Sequence, residues 1–140
     1  MLGMKHSILA AGFFTLVIVG SAGAQGRCPP PRHRAKIPNI KGQTYDEARP
    51  QLIAAGWKPL QSNDESTAET NLRSGNGPLF WKEKHYIEVT VCGADFHPSC
   101  EFVFEDRYKN ELHVDTYGLE DPAKHTFAIV KRALIPCERD

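Results

Sequence analysis

The sequence predicts an α+β fold: one amphipathic helix packed on an antiparallel β-meander of three to four strands, stapled by two disulfides. Three observations carry this expectation. Residues 44–56 hold a helix with its own start and stop signals, residues 86–117 alternate apolar and polar side chains at strand period, and the cysteines are even in number, four in all.

Taken in order, the chain opens MLGMKHSILAAGFFTLVIVGSAGAQ, with Lys5 ahead of an apolar run from Ile8 to Gly20 and the small-residue site Ala22-Gly23-Ala24 directly after it. That is the order of parts in a secretory signal peptide. The run is shorter than the about 20 apolar residues of a transmembrane helix. Cleavage after Ala24 is expected, giving a periplasmic or secreted protein without stable membrane insertion. Arg27 stands before Cys28, where a lipoprotein signal would place a small residue, so lipidation is not expected.

Cleavage leaves Gln25–Asp140, 116 of the 140 residues (140 less 24), with 16 basic against 17 acidic side chains once Lys5 is gone. That length supports one small domain. A near-zero charge leaves no field to gather nucleic acid or an anionic membrane, so no nucleic-acid partner is expected. Residues 25–36 interleave Arg27, Arg32, Arg34 and Lys36 with Pro29-Pro30-Pro31 and read as a solvated, extended arm. The single α+β domain then runs from 37 to 140.

Cys28, Cys92, Cys100 and Cys137 suit two disulfides in an exported protein. Three pairings are open. Spacing favours Cys92 with Cys100, across a hairpin loop, and Cys28 with Cys137, tying the ends of the domain together. Without a C-x-x-C pair, zinc is poorly supported.

The helix begins at Thr44-x-x-Glu47, a capping box, with Asp46 and Glu47 at the positive end of the helix dipole. Tyr45, Ala48, Leu52 and Ala55 share one face, and Gly56 is placed to stop the helix in the left-handed region. Pro50 removes one internal hydrogen bond, so a short, bent helix is expected. Residues 61–76, QSNDESTAETNLRSGN, are polar and turn-forming and read as a loop or a marginal helical turn. In FWKEKHYIEVTVC, Ile87, Val89 and Val91 read as inward and Tyr86, Glu88 and Thr90 as outward. CEFVFED turns Phe102 and Phe104 inward and Glu101, Val103 and Glu105 outward, and ELHVDTY places Leu112, Val114 and Thr116 in register. HTFAIVKRALIPC is strand-like at its start and ambiguous later. The expected core is Leu52, Trp57, Ile87, Val89, Val91, Phe102, Phe104, Leu112 and Val114.

Residues 37–60, IPNIKGQTYDEARPQLIAAGWKPL, resemble the start of a PASTA domain. The matching residues are Ile37-Pro38-Asn39-Ile40, Gly42, Thr44, Glu47-Ala48, Leu52 and Ala55-Gly56-Trp57. The resemblance implies strand, turn, helix and following strand, and an association with peptidoglycan or muropeptides. The Pro-x-x-Gly turn and second Gly of that family do not follow Lys58. As a whole the chain resembles small exported bacterial proteins of unassigned function.

No histidine stands in an H-E-x-x-H motif and no serine in G-x-S-x-G, so neither a cofactor, a metal nor catalysis is expected. The candidate binding residues are the aromatics Phe80, Trp81, Tyr86 and Tyr117, read as a surface patch. These readings combine into a non-catalytic binding protein of the bacterial cell envelope, whose partner is a cell-wall glycan or an envelope protein. Two alternatives stand beside it. One is a periplasmic inhibitor or immunity-type protein that plugs a partner enzyme with residues 95–99 or 61–76. The other is a small hydrolytic or metal-binding protein using His113, Asp115 and Glu101 on the polar sheet face.

Overall fold

The computed structural model describes residues 31–94 and 96–136. The expected signal peptide, the first part of the arm, Cys28 and Cys137 lie outside the described residues. Within them, two layers form: helices and turns cover one face of a five-stranded antiparallel sheet. The elements run α1 (Tyr45–Ala54), β1 (Lys58–Pro59), α2 (Glu65–Asn71), a π-helical turn (Leu79–Glu83), β2 (Val89–Gly93), β3 (Ser99–Glu105), β4 (Glu111–Tyr117), a 3-10 turn (Pro122–Lys124) and β5 (Ile129–Leu134). Strands β2 to β5 form a meander. One edge of β3 is shared, by β2 along Ser99–Phe102 and by β1 at Phe104 and Glu105. Among the described residues no helix is long and apolar enough to cross a membrane.

Helix α1 follows its sequence signals. Thr44 accepts from the Glu47 amide while Glu47 accepts from the Thr44 amide, which satisfies two donors that a helix start otherwise leaves free. Tyr45, Ala48 and Leu52 are buried, and Gly56 leaves the helix at φ +97°. The Tyr45 ring stacks on Phe102 of β3 at a centroid distance of 3.6 Å, and Phe80 meets both rings edge-on. Trp57 is fully buried and donates from Nε1 to the Lys36 carbonyl. Burying each such large side chain contributes roughly 1.5–3 kcal/mol.

The structure corrects several expectations. Among the described residues there are two α-helices, not one, because Asp64 and Thr67 build a second capping box inside the segment read as a loop or a marginal helical turn. Ala68 and Leu72, one turn apart, bury its inner side. The sheet has five strands because residues 129–134 pair with β4 along their length and Lys58–Pro59 adds to β3. The inward set of residues 86–92 also changes. Val89 is buried, but Ile87 and Val91 are exposed and Glu88 is fully buried. Thr90 is an extra residue between the pairs Val89↔Phe102 and Val91↔Glu101, so the alternation slips by one. Val103 is buried as well, on the opposite face from Phe102.

Residues 33–37 are extended but docked rather than solvated. Asp106 accepts from the Ala35 amide, Asn110 donates to the His33 carbonyl, and Ala35 and Ile37 pack on the core. The Asp106 carboxyl also accepts from the Tyr108 and Asn110 amides. Burial pushes its pKa up, but the donors from Asn110, Ala35 and Tyr108 win and hold it below the usual carboxylate range.

The outer edge of β2 is closed by side chain and backbone. Asn63 Nδ2 donates to both the Val89 and Thr90 carbonyls, 2.8 Å each. Farther along, Gly75 lies so close to the Gly93 carbonyl that a Cβ would stand 2.5 Å from its oxygen.

Candidate functional site

Charged side chains gather in two places, and they behave differently. Under α1, Glu88 accepts from the Tyr45 hydroxyl at 2.9 Å and from Arg49 through both Nε and Nη2. Burial, then the Glu88 carboxylate, pushes the Tyr45 pKa well up. Burial draws Arg49 down, but its bonds to Glu88 hold it above its ordinary value. Beside this pair, Lys84 donates to Asp46 and Glu120, 2.6 Å each, while Tyr86 donates to Asp46. Burial lowers Lys84, and the two carboxylates outweigh it. Glu120 completes its bonds with the Ala128 amide. Every one of these groups is satisfied within the fold, which is what a structural network requires.

The second gathering is on the outer face of the sheet. Strand alternation turns Ser99 and Glu101 of β3 and Asp115 and Tyr117 of β4 away from the core, in register as Ser99↔Tyr117 and Glu101↔Asp115. Bulges flank this pair on both sides. Thr90 is the extra residue in β2, and Lys131 is the extra residue in β5, between Thr116↔Val130 and Asp115↔Arg132. A bulge bends its strand and re-aims a side chain. The result is a cleft of about 380 Å³ lined by Val91, His97, Ser99, Glu101, Asp115, Tyr117 and Lys131, among others.

The floor of this cleft is held rigidly. Cys92 and Cys100, paired across β2 and β3 with Cα atoms 4.2 Å apart, form a disulfide. The Gly118 amide donates to the Pro98 carbonyl at 2.8 Å, anchoring the β2–β3 loop to the end of β4. Thr90 donates to the Glu101 carbonyl.

Pairing is looser here than under α1. Asp115 is held by Arg132. His113 stands between carboxylates, with Nδ1 3.4 Å from Glu101 and Nε2 3.5 Å from Glu111. Although Nε2 lies within ion-pair reach of Glu111, it is buried and has no hydrogen bond of acceptable geometry. Among the described residues, Lys131 forms no ion pair and no three His, Cys, Asp or Glu side chains are arranged to hold a metal ion.

The aromatics expected to form one patch do not meet on one surface. Phe80 is fully buried, so it contributes packing and no contact surface. The π-helical turn points it inward, and Tyr86 stacks against it half-buried, ahead of β2 rather than on a strand. Trp81 lines a separate groove of about 320 Å³ with Glu65, Lys82, His85 and Ile87. Only Tyr117 reaches the sheet-face cleft, where it is 48 % exposed. Glu101 and Asp115 do come together, with His113 beside them. Sequence reasoning missed His97 and Lys131. The sequence signal for Lys131 was the break in alternation at AIVKRAL, the mark of a bulge.

Compared with family models, characterised proteins and solved structures, the chain matches none. Residues 37–60 take the order extended segment, turn, capped helix and short strand.

Proposed function

We propose that this protein is an exported, non-catalytic binding protein of the bacterial cell envelope whose sheet-face cleft takes a fragment of peptidoglycan. The observation that supports this most is the concavity between the two bulges, where an exposed tyrosine face stands beside Lys131, which forms no ion pair among the described residues, and beside the carboxylates of Glu101 and Asp115. A sugar ring stacks on an aromatic face, and a peptide-bearing glycan presents carboxylate and amine groups to Lys131 and Glu101. The PASTA-like unit at residues 37–60 and the signal-like N-terminus agree with this reading. The second disulfide, Cys28 with Cys137, belongs to the same proposal and predicts no free thiol in the denatured, unreduced protein.

The test is sedimentation of the mature, oxidised protein with purified peptidoglycan. Retention that Tyr117→Ala removes is the expected result, whereas no retention, or retention indifferent to Tyr117→Ala and Lys131→Ala, overturns it.

One observation favours an inhibitor instead. Phe96, in the disulfide-closed loop, is 100 % exposed. Closing a loop by a disulfide lowers the entropy it has to lose on docking. This reading predicts one stoichiometric protein partner from envelope extract, lost on Phe96→Ala.

A further inference from the structure

His113 cannot satisfy both of its neighbours while it is neutral. A neutral imidazole carries one N–H donor and one bare lone pair. With the proton on Nδ1, the Nε2 lone pair faces Glu111; with the proton on Nε2, the Nδ1 lone pair faces Glu101. Among the described residues neither nitrogen makes a hydrogen bond of acceptable geometry, and Nε2 is buried. Only the imidazolium donates to both carboxylates at once. Both separations, 3.4 and 3.5 Å, exceed the usual N–H···O distance of about 2.9 Å, so there is room to close.

We propose that His113 is a proton-operated latch on Glu101, drawing that carboxylate out of the sheet-face cleft when it takes up a proton and releasing it when it gives the proton up. Glu101 is suited to be moved, since its other oxygen has only a 3.5 Å approach from Thr90, the bulge residue of β2. The groups around the imidazole leave it little competition. From β3 comes Glu101, with Val103 opposite; from β4 itself come Glu111 and Asp115; from β5 come Leu134 opposite and Arg132, which is engaged by Asp115. His97 is a second imidazole lining the cleft, so it must be told apart. Protonation takes the Glu101–His113–Glu111 group from two net negative charges to one. The cleft becomes less negative and its Glu101 less available. As a control on binding, the latch rests on the cleft being the site proposed above; as a coupling between two side chains, it is measurable in the free protein.

The experiment follows the side-chain carboxyl and imidazole resonances of the mature, oxidised protein by NMR across the range in which histidines change charge, about pH 8 to 5. The Glu101 and Glu111 carboxyl signals are expected to move at the midpoint of the His113 ring. In His113→Gln, whose amide spectrum reports on the fold, that movement is lost. A Glu101 signal that stays flat while His113 titrates overturns the latch, and so does one that follows His97 and persists in His113→Gln. In a second arm, retention on purified peptidoglycan at the two ends of the range should differ roughly two- to five-fold for the wild type and not at all for His113→Gln. Wild-type retention that ignores pH overturns the latch as a control on binding. No retention at any pH overturns the proposed function, and the latch is then decided by the carboxyl titration alone.

Discussion

The two faces of the sheet use charge in opposite ways. On the core side, Glu88 is fully buried and collects three donors from α1, while Lys84 bridges two carboxylates across the edge of the same layer. On the outer side, among the described residues, Lys131 forms no ion pair and the buried Nε2 of His113 has no hydrogen bond. A charge enclosed by the fold must be paired, because burying it alone costs several kcal/mol. A charge at a wet concave surface carries no such obligation, and its vacancy is what a ligand can use.

The sharpest way to break this contrast is to remove the partner of a buried charge. Glu88→Ala should cost about 3–5 kcal/mol in denaturant unfolding, since Arg49 and the Tyr45 hydroxyl lose their acceptor. Opening the Cys92–Cys100 bridge by double substitution to serine should cost about 2–3 kcal/mol for a loop of this length, and it should loosen the cleft more than the α1 side. Thr44→Ala removes the α1 cap for about 1 kcal/mol. At the small end, Arg132→Ala on the outer face should change stability by less than about 1 kcal/mol, because the Arg132 side chain is largely solvated. A large effect there would erase the distinction between the faces.

Acid offers a further probe. The amide and hydroxyls of Thr67 and Ser66 hold the Asp64 carboxyl down at about 2. A carboxyl lower in the folded than in the unfolded state stabilises the fold above its unfolded value of about 4 and loses that contribution as pH falls toward 2. Asp64→Asn should therefore flatten the acid limb of the stability curve between about pH 4 and 2, measured by thermal melts.

What could be read from sequence was local. The α1 cap and Gly56 exit involve residues within one or two turns, and the β3–β4 pairing joins two short alternating runs in an unshifted register, from Ser99↔Tyr117 to Glu105↔Glu111. The misreadings had distant causes. Glu88 turns inward because Arg49 and Tyr45, 39 and 43 residues away, supply its bonds. Helix α2 was hidden because its cap uses Asp64 and Thr67 in place of the Ser/Thr and Glu signature, with only Ala68 and Leu72 as apolar anchors. Of the candidate site, Glu101, Asp115 and Tyr117 were legible as outward strand residues. Lys131 and His97 were not, since a bulge in one case and a loop in the other set their direction.

The side-chain amide of Asn63, spread over two carbonyls of β2, has a consequence for how these molecules behave in company. A free strand margin is a template on which another molecule's strand can add, and Asn63 occupies that margin with a group too short to propagate a ladder. Asn63→Ala would uncover the two acceptors and cost the monomer about 1–3 kcal/mol for the unpaired groups, so its symptom in concentrated solution is expected to include dimers and higher assemblies.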